Sequence, residues 1–258
     1  MNLLFTVCGR AGSKGLKSKN IQTFLDFPLA YYTFSAIDLF IKRHADEYDT
    51  ITVAVNTDSG ELINLLEQTT VAFKAVPRKR ELATDKASKV DVIKDTMFEC
   101  QRERKTIFDI IVDLDITSPL RTLEDVELTI KALQQNLQAD LAFSVTDSRR
   151  NPYFNMVKEQ EGFYERVVKS QFNTRQQAPV IYDMNASIYA YRNSFLKAPS
   201  TQGVFDGKAV IHVMKDTAVL DIDRAEDLEL MKVIAQHFYN NYDKYTNIRD
   251  NIRNIINR

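Results

Sequence analysis

Apolar residues gather in short compact runs along the first half of the chain, separated by longer mixed stretches. Leu3 to Cys8, Ile51 to Val55, Val71 to Val76, Asp109 to Leu114 and Leu141 to Val145 each read as a strand of a sheet covered on both faces. Helical stretches lie between them. The clearest is Thr122 to Gln135, where Thr122 and Asp125 resemble a capping box and Val126, Ile130, Leu133 and Leu137 recur at i, i+4, i+7 and i+11. Elements alternating in this way predict an α/β fold on a doubly wound, mainly parallel sheet.

The alternation breaks near Asn151. From Asn155 to Tyr191 strand-like and polar residues predominate, and Glu159-Gln160-Glu161-Gly162 reads as a hairpin turn between Asn155-Met156-Val157 and Phe163 to Val168. The economical division is one domain over 1–258 with an inserted element at 151–191. The main fold resumes with Ala209 to Met214 and Val219 to Ile222, followed by a helix from near Arg224. Helical spacing of Tyr242, Tyr245, Ile248, Ile252 and Ile255 then predicts a C-terminal helix that packs on the body.

Composition removes several classes of function. The chain has 258 residues, 44% of them hydrophobic, enough for a core. Its uncharged apolar runs fall far short of the ~20 residues of a membrane span, and the first strand begins at once, with no basic leader, so a cytoplasmic location without a membrane partner is expected. Cys8 and Cys100 are too few for a disulfide framework or a cysteine metal site. With 34 basic against 35 acidic residues there is no bulk field for a polyanion, and Arg78-Lys79-Arg80 is too short for a nucleic-acid stripe. His44, His212 and His237 are scattered, and none is needed as a base.

Directly behind the first strand stands Arg10-Ala-Gly12-Ser13-Lys14-Gly15-Leu-Lys-Ser-Lys19-Asn20. Gly12 and Gly15 let backbone N–H groups approach a polyphosphate, Arg10 offers a planar fork of donors, and Lys14 and Lys19 act as point charges. The spacing is neither the Walker nor the Rossmann glycine pattern. Further on, strand alternation sends Asp221 and Asp223 of Leu220-Asp221-Ile222-Asp223 to one face, where two hard oxygen ligands suit Mg²⁺; alternatively, Asp223 caps the next helix. Asp113 and Asp115 form a second such pair at a strand's carboxyl end.

The pattern Arg10-x-x-Ser13-Lys14-Gly15-x-x-x-Lys19-Asn20 resembles the nucleotide-binding signature of the acylneuraminate cytidylyltransferases, the CMP-sialic acid synthetase family. The resemblance continues in order through Asn56-Thr57-Asp58, Arg80 to Asp85, Thr117-Ser118-Pro119-Leu120-Arg121-Thr122, Arg175-Gln176-Gln177-Ala178-Pro179, Asn185-Ala186-Ser187-Ile188-Tyr189 and Asp221-Ile222-Asp223. It implies a Rossmann-like nucleotidyltransferase fold and an enzyme that joins CTP to a nonulosonic acid such as N-acetylneuraminate, releasing pyrophosphate. It also implies Mg²⁺, or Mn²⁺ in its place, held by Asp221 and Asp223, and a homodimer whose inserted element reaches over the neighbouring active site.

By the same resemblance Arg10, Lys14 and Lys19 are the catalytic cations on the phosphates. Gly12, Ser13, Asn20, Arg78 and Ser88 complete the nucleotide site, with Arg80 the alternative to Arg78. Asp115, Ser118, Arg121, Arg175, Gln177 and Asn185 correspond to the sugar side. Asp115 departs from the family, where a glutamine is common. An anion would repel the sugar's carboxylate, so Asp115 is expected to meet a hydroxyl or help hold a metal. Legionaminate, pseudaminate or 3-deoxy-manno-octulosonate as the sugar, another nucleotide base with a sugar phosphate, and a non-catalytic sugar-nucleotide binding protein remain as alternatives.

Overall fold

The structure is a computed structural model that describes residues 1–12, 15–215 and 222–256. The chain begins with β1 (Asn2–Gly9), the small pair β2 (Thr23–Phe24) and β3 (Phe27–Pro28), and α1 (Leu29–His44). Next come β4 (Thr50–Thr57), α2 (Gly60–Leu66), β5 (Lys74–Pro77), α3 (Lys89–Arg104), β6 (Ile110–Leu114), α4 (Leu123–Gln135) and β7 (Leu141–Asp147). The second half holds β8 (Val157–Gln160), β9 (Phe163–Arg166), β10 (Tyr182–Arg192), α5 (Asn193–Lys197), β11 (Ala209–Val213), α6 (Ala225–Asn241) and α7 (Asp243–Ile255).

Among the described residues seven strands form the main sheet in the order β11-β7-β10-β6-β1-β4-β5. The pairs of β1 with β4, β1 with β6, β4 with β5 and β7 with β11 are parallel, and β10 alone runs antiparallel to its neighbours. The chain builds outward from β1 through β4 to β5, then returns to place β6 on the other side of β1. That reversal opens a crevice at the carboxyl ends of β1 and β6.

Both faces of β1 are buried, which is why its sequence does not alternate. Leu3, Phe5 and Val7 enter one core with α1, α4 and α7 residues, while Leu4 enters a second core with Ile93, Met97 and Cys100 of α3. Helices therefore cover the two sides, as a doubly wound sheet requires. The expected C-terminal helix is α7, whose Tyr245, Ile248, Ile252 and Ile255 are buried. Ser35 on α1 donates to the Ile248 carbonyl at 2.6 Å and fixes that packing.

Several boundaries move. The strand expected over Val71 to Val76 forms only at Lys74–Pro77, because the chain just before it is held elsewhere: Thr70 N donates to Ile255 O at 2.7 Å at the end of α7. Leu137 lies beyond the end of α4 and is exposed, outside the stripe it was expected to extend. The hairpin forms with Glu161 and Gly162 alone at its tip, both at positive φ, as a two-residue turn with matching twist demands. The element read over 151–191 is also shorter at its end, since Tyr182 to Tyr191 belong to β10 inside the main sheet. Apolar Ile188, Ala190 and Tyr191 are buried there between β6 and β7. Residues 219–221 of the strand expected over Val219 to Ile222 lie outside the described residues. No helix among the described residues is long and apolar enough to cross a membrane.

Candidate active site

A cleft of ≈ 560 Å³ lies at the carboxyl ends of β1 and β6, at the point where the strand order reverses. Its walls include Gly9, Arg10, Gly15, Lys19 and Asn20 at and after the end of β1, Arg78, Leu82, Thr84, Asp85 and Ala87 ahead of α3, Lys89 at its start, Asp115 and Thr117 after β6, and Asp223 and Arg224 ahead of α6. The loop after β1 is pinned from two sides. Asp58 Oδ1 accepts from Ala11 N at 2.7 Å, and Asn20 Nδ2 donates to the Arg10 carbonyl at 3.1 Å.

The cleft's cations face carboxylates. Arg10 Nη1 lies 2.7 Å from Asp85 Oδ1, Lys19 Nζ 2.9 Å from Asp223 Oδ1, and Lys89 Nζ 2.8 Å from Asp113 Oδ2 and 2.7 Å from Asp115 Oδ2. Arg78 is set by Asn56, whose Oδ1 and backbone carbonyl accept from its Nε and Nη2 at 2.9 and 3.0 Å. Gly15 packs so closely on the Asp223 carbonyl that a Cβ there would collide with it. The phosphate-type loop and the start of α6 thus close on each other across the cleft.

Charge sharing decides the protonation states. Burial works against the charged form of Asp115, but Lys89 and two bonds from Thr117 overcome it and hold the carboxyl well below its usual range. Lys89 is the reverse case: burial opposes its charge, and Asp113 and Asp115 push it well above the ordinary lysine value. The Cys8 thiol is driven up by burial and by Asp113, so it stays protonated and is no nucleophile.

Of the residues singled out from sequence, Arg10, Lys19, Asn20, Arg78, Asp115 and Asp223 come together in the cleft. Arg80 is exposed and does not line it, which separates the two arginines that sequence left open. Ser13, Lys14 and Asp221 lie outside the described residues, and Gly12 is exposed on the loop away from the cleft lining. Asp223 is not the cap of α6. That helix starts after Arg224, and Asp227 Oδ2 accepts from the Asp223 and Arg224 N–H groups at 3.1 and 2.8 Å. The Asp223 side chain is 73% exposed. It therefore fits one ligand of a hard cation that would take its other oxygens from water and substrate. Among the described residues no cluster of three or more His, Cys, Asp or Glu is placed to hold a metal.

The remaining residues assigned to the sugar lie outside the lining of the cleft. Arg121, expected to offer its donors to a sugar carboxylate, is buried; its Nη2 donates to the Asp115 carbonyl and its Nε to Ser187 Oγ at 3.3 Å, tying β6 to β10. Ser118 is buried, and Asn185 Oδ1 accepts from Ser144 Oγ at 2.6 Å between β7 and β10. Arg175 donates to the Ser148 carbonyl at 2.7 Å and Gln177 Oε1 accepts from Asn173 N at 3.0 Å, both away from the cleft. Ser88 Oγ caps α3 by accepting from Asp91 N at 3.1 Å. Lys89, which sequence reasoning missed, carried a readable signal: a cation at the first position of a helix has the wrong sign for the helix dipole and needs a reason to be there.

A cation-lined cleft at the switch point of a doubly wound sheet marks a nucleotide-binding α/β protein. The sequence profile described as cytidylyltransferase matches residues 5–247, and the chain belongs to that family, a class of nucleotidyltransferases. It is 34% identical over 240 residues to the post-translational flagellin modification protein B of Campylobacter coli, covering 91% of this chain and 95% of that one. It is 32% identical over 235 residues to the CMP-N,N'-diacetyllegionaminic acid synthase of Campylobacter jejuni subsp. jejuni serotype O:2, covering 90% and 94%. The fold is also that of a CMP:2-keto-3-deoxy-manno-octonic acid synthetase solved with CTP, with a TM-score of 0.64 at 15% identity over 92% of this chain and 99% of the other.

Proposed function

We propose that the chain joins CTP to a nonulosonic acid, giving the CMP-sugar and pyrophosphate. The observation that carries this reading is that Lys19, paired with the exposed carboxylate of Asp223, and Arg10, paired with Asp85, line one cleft, a set of cations and an exposed carboxylate suited to a triphosphate and its counter-ion. The relative named for diacetyllegionaminic acid favours a legionaminate-type acid over N-acetylneuraminate.

Arg10 and Lys19 would hold the phosphates and Asn20 and Arg78 the nucleotide, with Asp115 and Thr117 on the side where the sugar enters. The anomeric hydroxyl oxygen forms a bond to the α-phosphorus and gives up its proton to solvent, as the bond to the bridging α–β oxygen breaks and its electron pair leaves with pyrophosphate. Preorganised cations stabilise charge that grows on the phosphates during this step, and positioning supplies the rest. Asp223, with Asp221, would hold Mg²⁺. Bound there, the ion would neutralise phosphate charge and polarise a phosphoryl oxygen.

We also infer a homodimer. The β8–β9 hairpin presents Val157 and Tyr164 on one face and Phe163 on the other, at 62%, 74% and 80% exposure, apolar side chains that a second copy of the chain would cover.

Pyrophosphate release from each of the four nucleoside triphosphates tests the reading, assayed against N,N'-diacetyllegionaminic, N-acetylneuraminic, pseudaminic and 3-deoxy-manno-octulosonic acids. Release with CTP and a nonulosonic acid is expected. Release only with another triphosphate and a sugar phosphate would overturn it, as would CTP binding without turnover of any acid, the behaviour of a non-catalytic binding protein.

A further inference from the structure

Lys89 is the first residue of α3 and reaches the floor of the cleft. Its ammonium bridges two carboxylates, each fixed from its other side. Asp113 is fully buried and its Oδ1 accepts from Thr6 Oγ1 at 2.8 Å. Asp115 Oδ1 accepts from Thr117 N at 2.9 Å and Thr117 Oγ1 at 2.6 Å. Lys89 takes the second oxygen of both, at 2.8 and 2.7 Å. Without it, two neighbouring acids at the end of β6 would repel each other and either turn away or share a proton.

The three groups carry one net negative charge, two carboxylates against one ammonium, and Asp115 with Lys89 forms the part that lines the cleft. A fixed acceptor of this sign repels a phosphate and repels the carboxylate of a sugar acid. The substrate group that rests on it must donate a hydrogen bond.

We propose that Lys89 is a positioning residue for Asp115, and that the pair selects the sugar acid by accepting a hydrogen bond from one of its hydroxyl or amide N–H groups. The proposal rests on the cytidylyltransferase reading above and adds to it the chemical character of one sugar contact. It also explains an acid at the position of Asp115, since an ionised acceptor discriminates more strongly against a missing donor than a neutral amide does.

Steady-state kinetics of Lys89→Met, Lys89→Arg and Asp115→Asn test this, varying CTP and N,N'-diacetyllegionaminic acid separately and following the thermal midpoint of each variant. Lys89→Met is expected to raise KM for the sugar acid by about tenfold or more, the scale of one charged hydrogen bond, with KM for CTP nearly unchanged. Lys89→Arg should recover most of the loss, and Asp115→Asn should reproduce it. A folded Lys89→Met with unchanged sugar KM overturns the proposal, and so does a rise confined to the KM for CTP, which would make Lys89 a phosphate cation. If Lys89→Met does not fold, an unchanged sugar KM in Asp115→Asn overturns it equally. Wild-type protein inactive with CTP and every acid would instead bring down the underlying reading, a distinguishable result.

Discussion

Lys19 and Asp223 hold each other at 2.9 Å, yet the proposed chemistry needs Lys19 on a phosphate and Asp223 on a cation. The phosphates would then compete with Asp223 for Lys19, and the ion with Lys19 for Asp223. Asp223→Asn should therefore bind CTP more tightly than wild type in EDTA, because Lys19 is released, while its turnover with Mg²⁺ falls severely. Titration calorimetry in EDTA would contradict this by showing equal or weaker binding. Lys19→Ala or Arg10→Ala should cost on the order of 10²-fold in turnover, the scale of one preorganised donor on developing charge. Near wild-type turnover at saturating CTP would remove that residue from the mechanism. Sequence made the placement of Arg10 and Lys19 at the cleft legible, because a loop directly behind the first strand lies at the carboxyl end of the sheet. It could not tell that Arg121 faces inward, since a donor's type says nothing of which neighbour takes it.

Among elements, α1 and α4 are tied by a small charge cluster at the far end of α1. His44 Nδ1 lies 2.8 Å from Glu47 Oε1 and His44 Nε2 lies 2.9 Å from Glu127 Oε1. Burial lowers the pKa of His44, but the bonds to Glu127 and Glu47 outweigh it, and the net shift is upward. The folded state thus binds this proton more tightly than the unfolded chain, whose histidine titrates near ~6.5. The contribution to stability is full below that value and disappears as pH rises through the folded pKa. The Tm gap between wild type and His44→Gln should shrink over the range from about pH 6.5 upward. A gap that stays constant across that range would contradict the assignment. The capping box opening α4 was readable because Thr122 and Asp125 act locally: Asp125 Oδ2 accepts from Thr122 N at 2.8 Å, and Thr122 Oγ1 accepts from Asp125 N at 3.1 Å. The place of β10 in the main sheet was not, since pairing with β6 and β7 is a long-range choice that a polar start to the strand conceals.

For the whole molecule, the doubly wound sheet was legible because a strand buried on both faces leaves a compact apolar run, and four of the five expected runs became the buried strands β1, β4, β6 and β7. The way the two faces share one cleft was less so. It depends on β6 returning beside β1, which brings Lys89, Asp113 and Asp115 within reach of the loop after β1. The proposed dimer belongs to this scale. Light scattering at micromolar concentration should give the mass of two chains, and Phe163→Glu with Tyr164→Glu should give a folded monomer, because both side chains are exposed on the single chain. A wild-type monomer with full activity would refute the proposed dimer and its role.

In the proposed reaction the cleft between the loop after β1 and the start of α6 receives the triphosphate of CTP. A crystal structure with CTP and Mg²⁺ tests it most directly. Phosphate oxygens are expected within hydrogen-bonding distance of Arg10 and Lys19, with Lys19 parted from Asp223 and the Asp223 carboxylate turned to the ion, directly or through water. CTP bound elsewhere, or bound here with the Lys19–Asp223 pair intact and the ion on other residues, would contradict it.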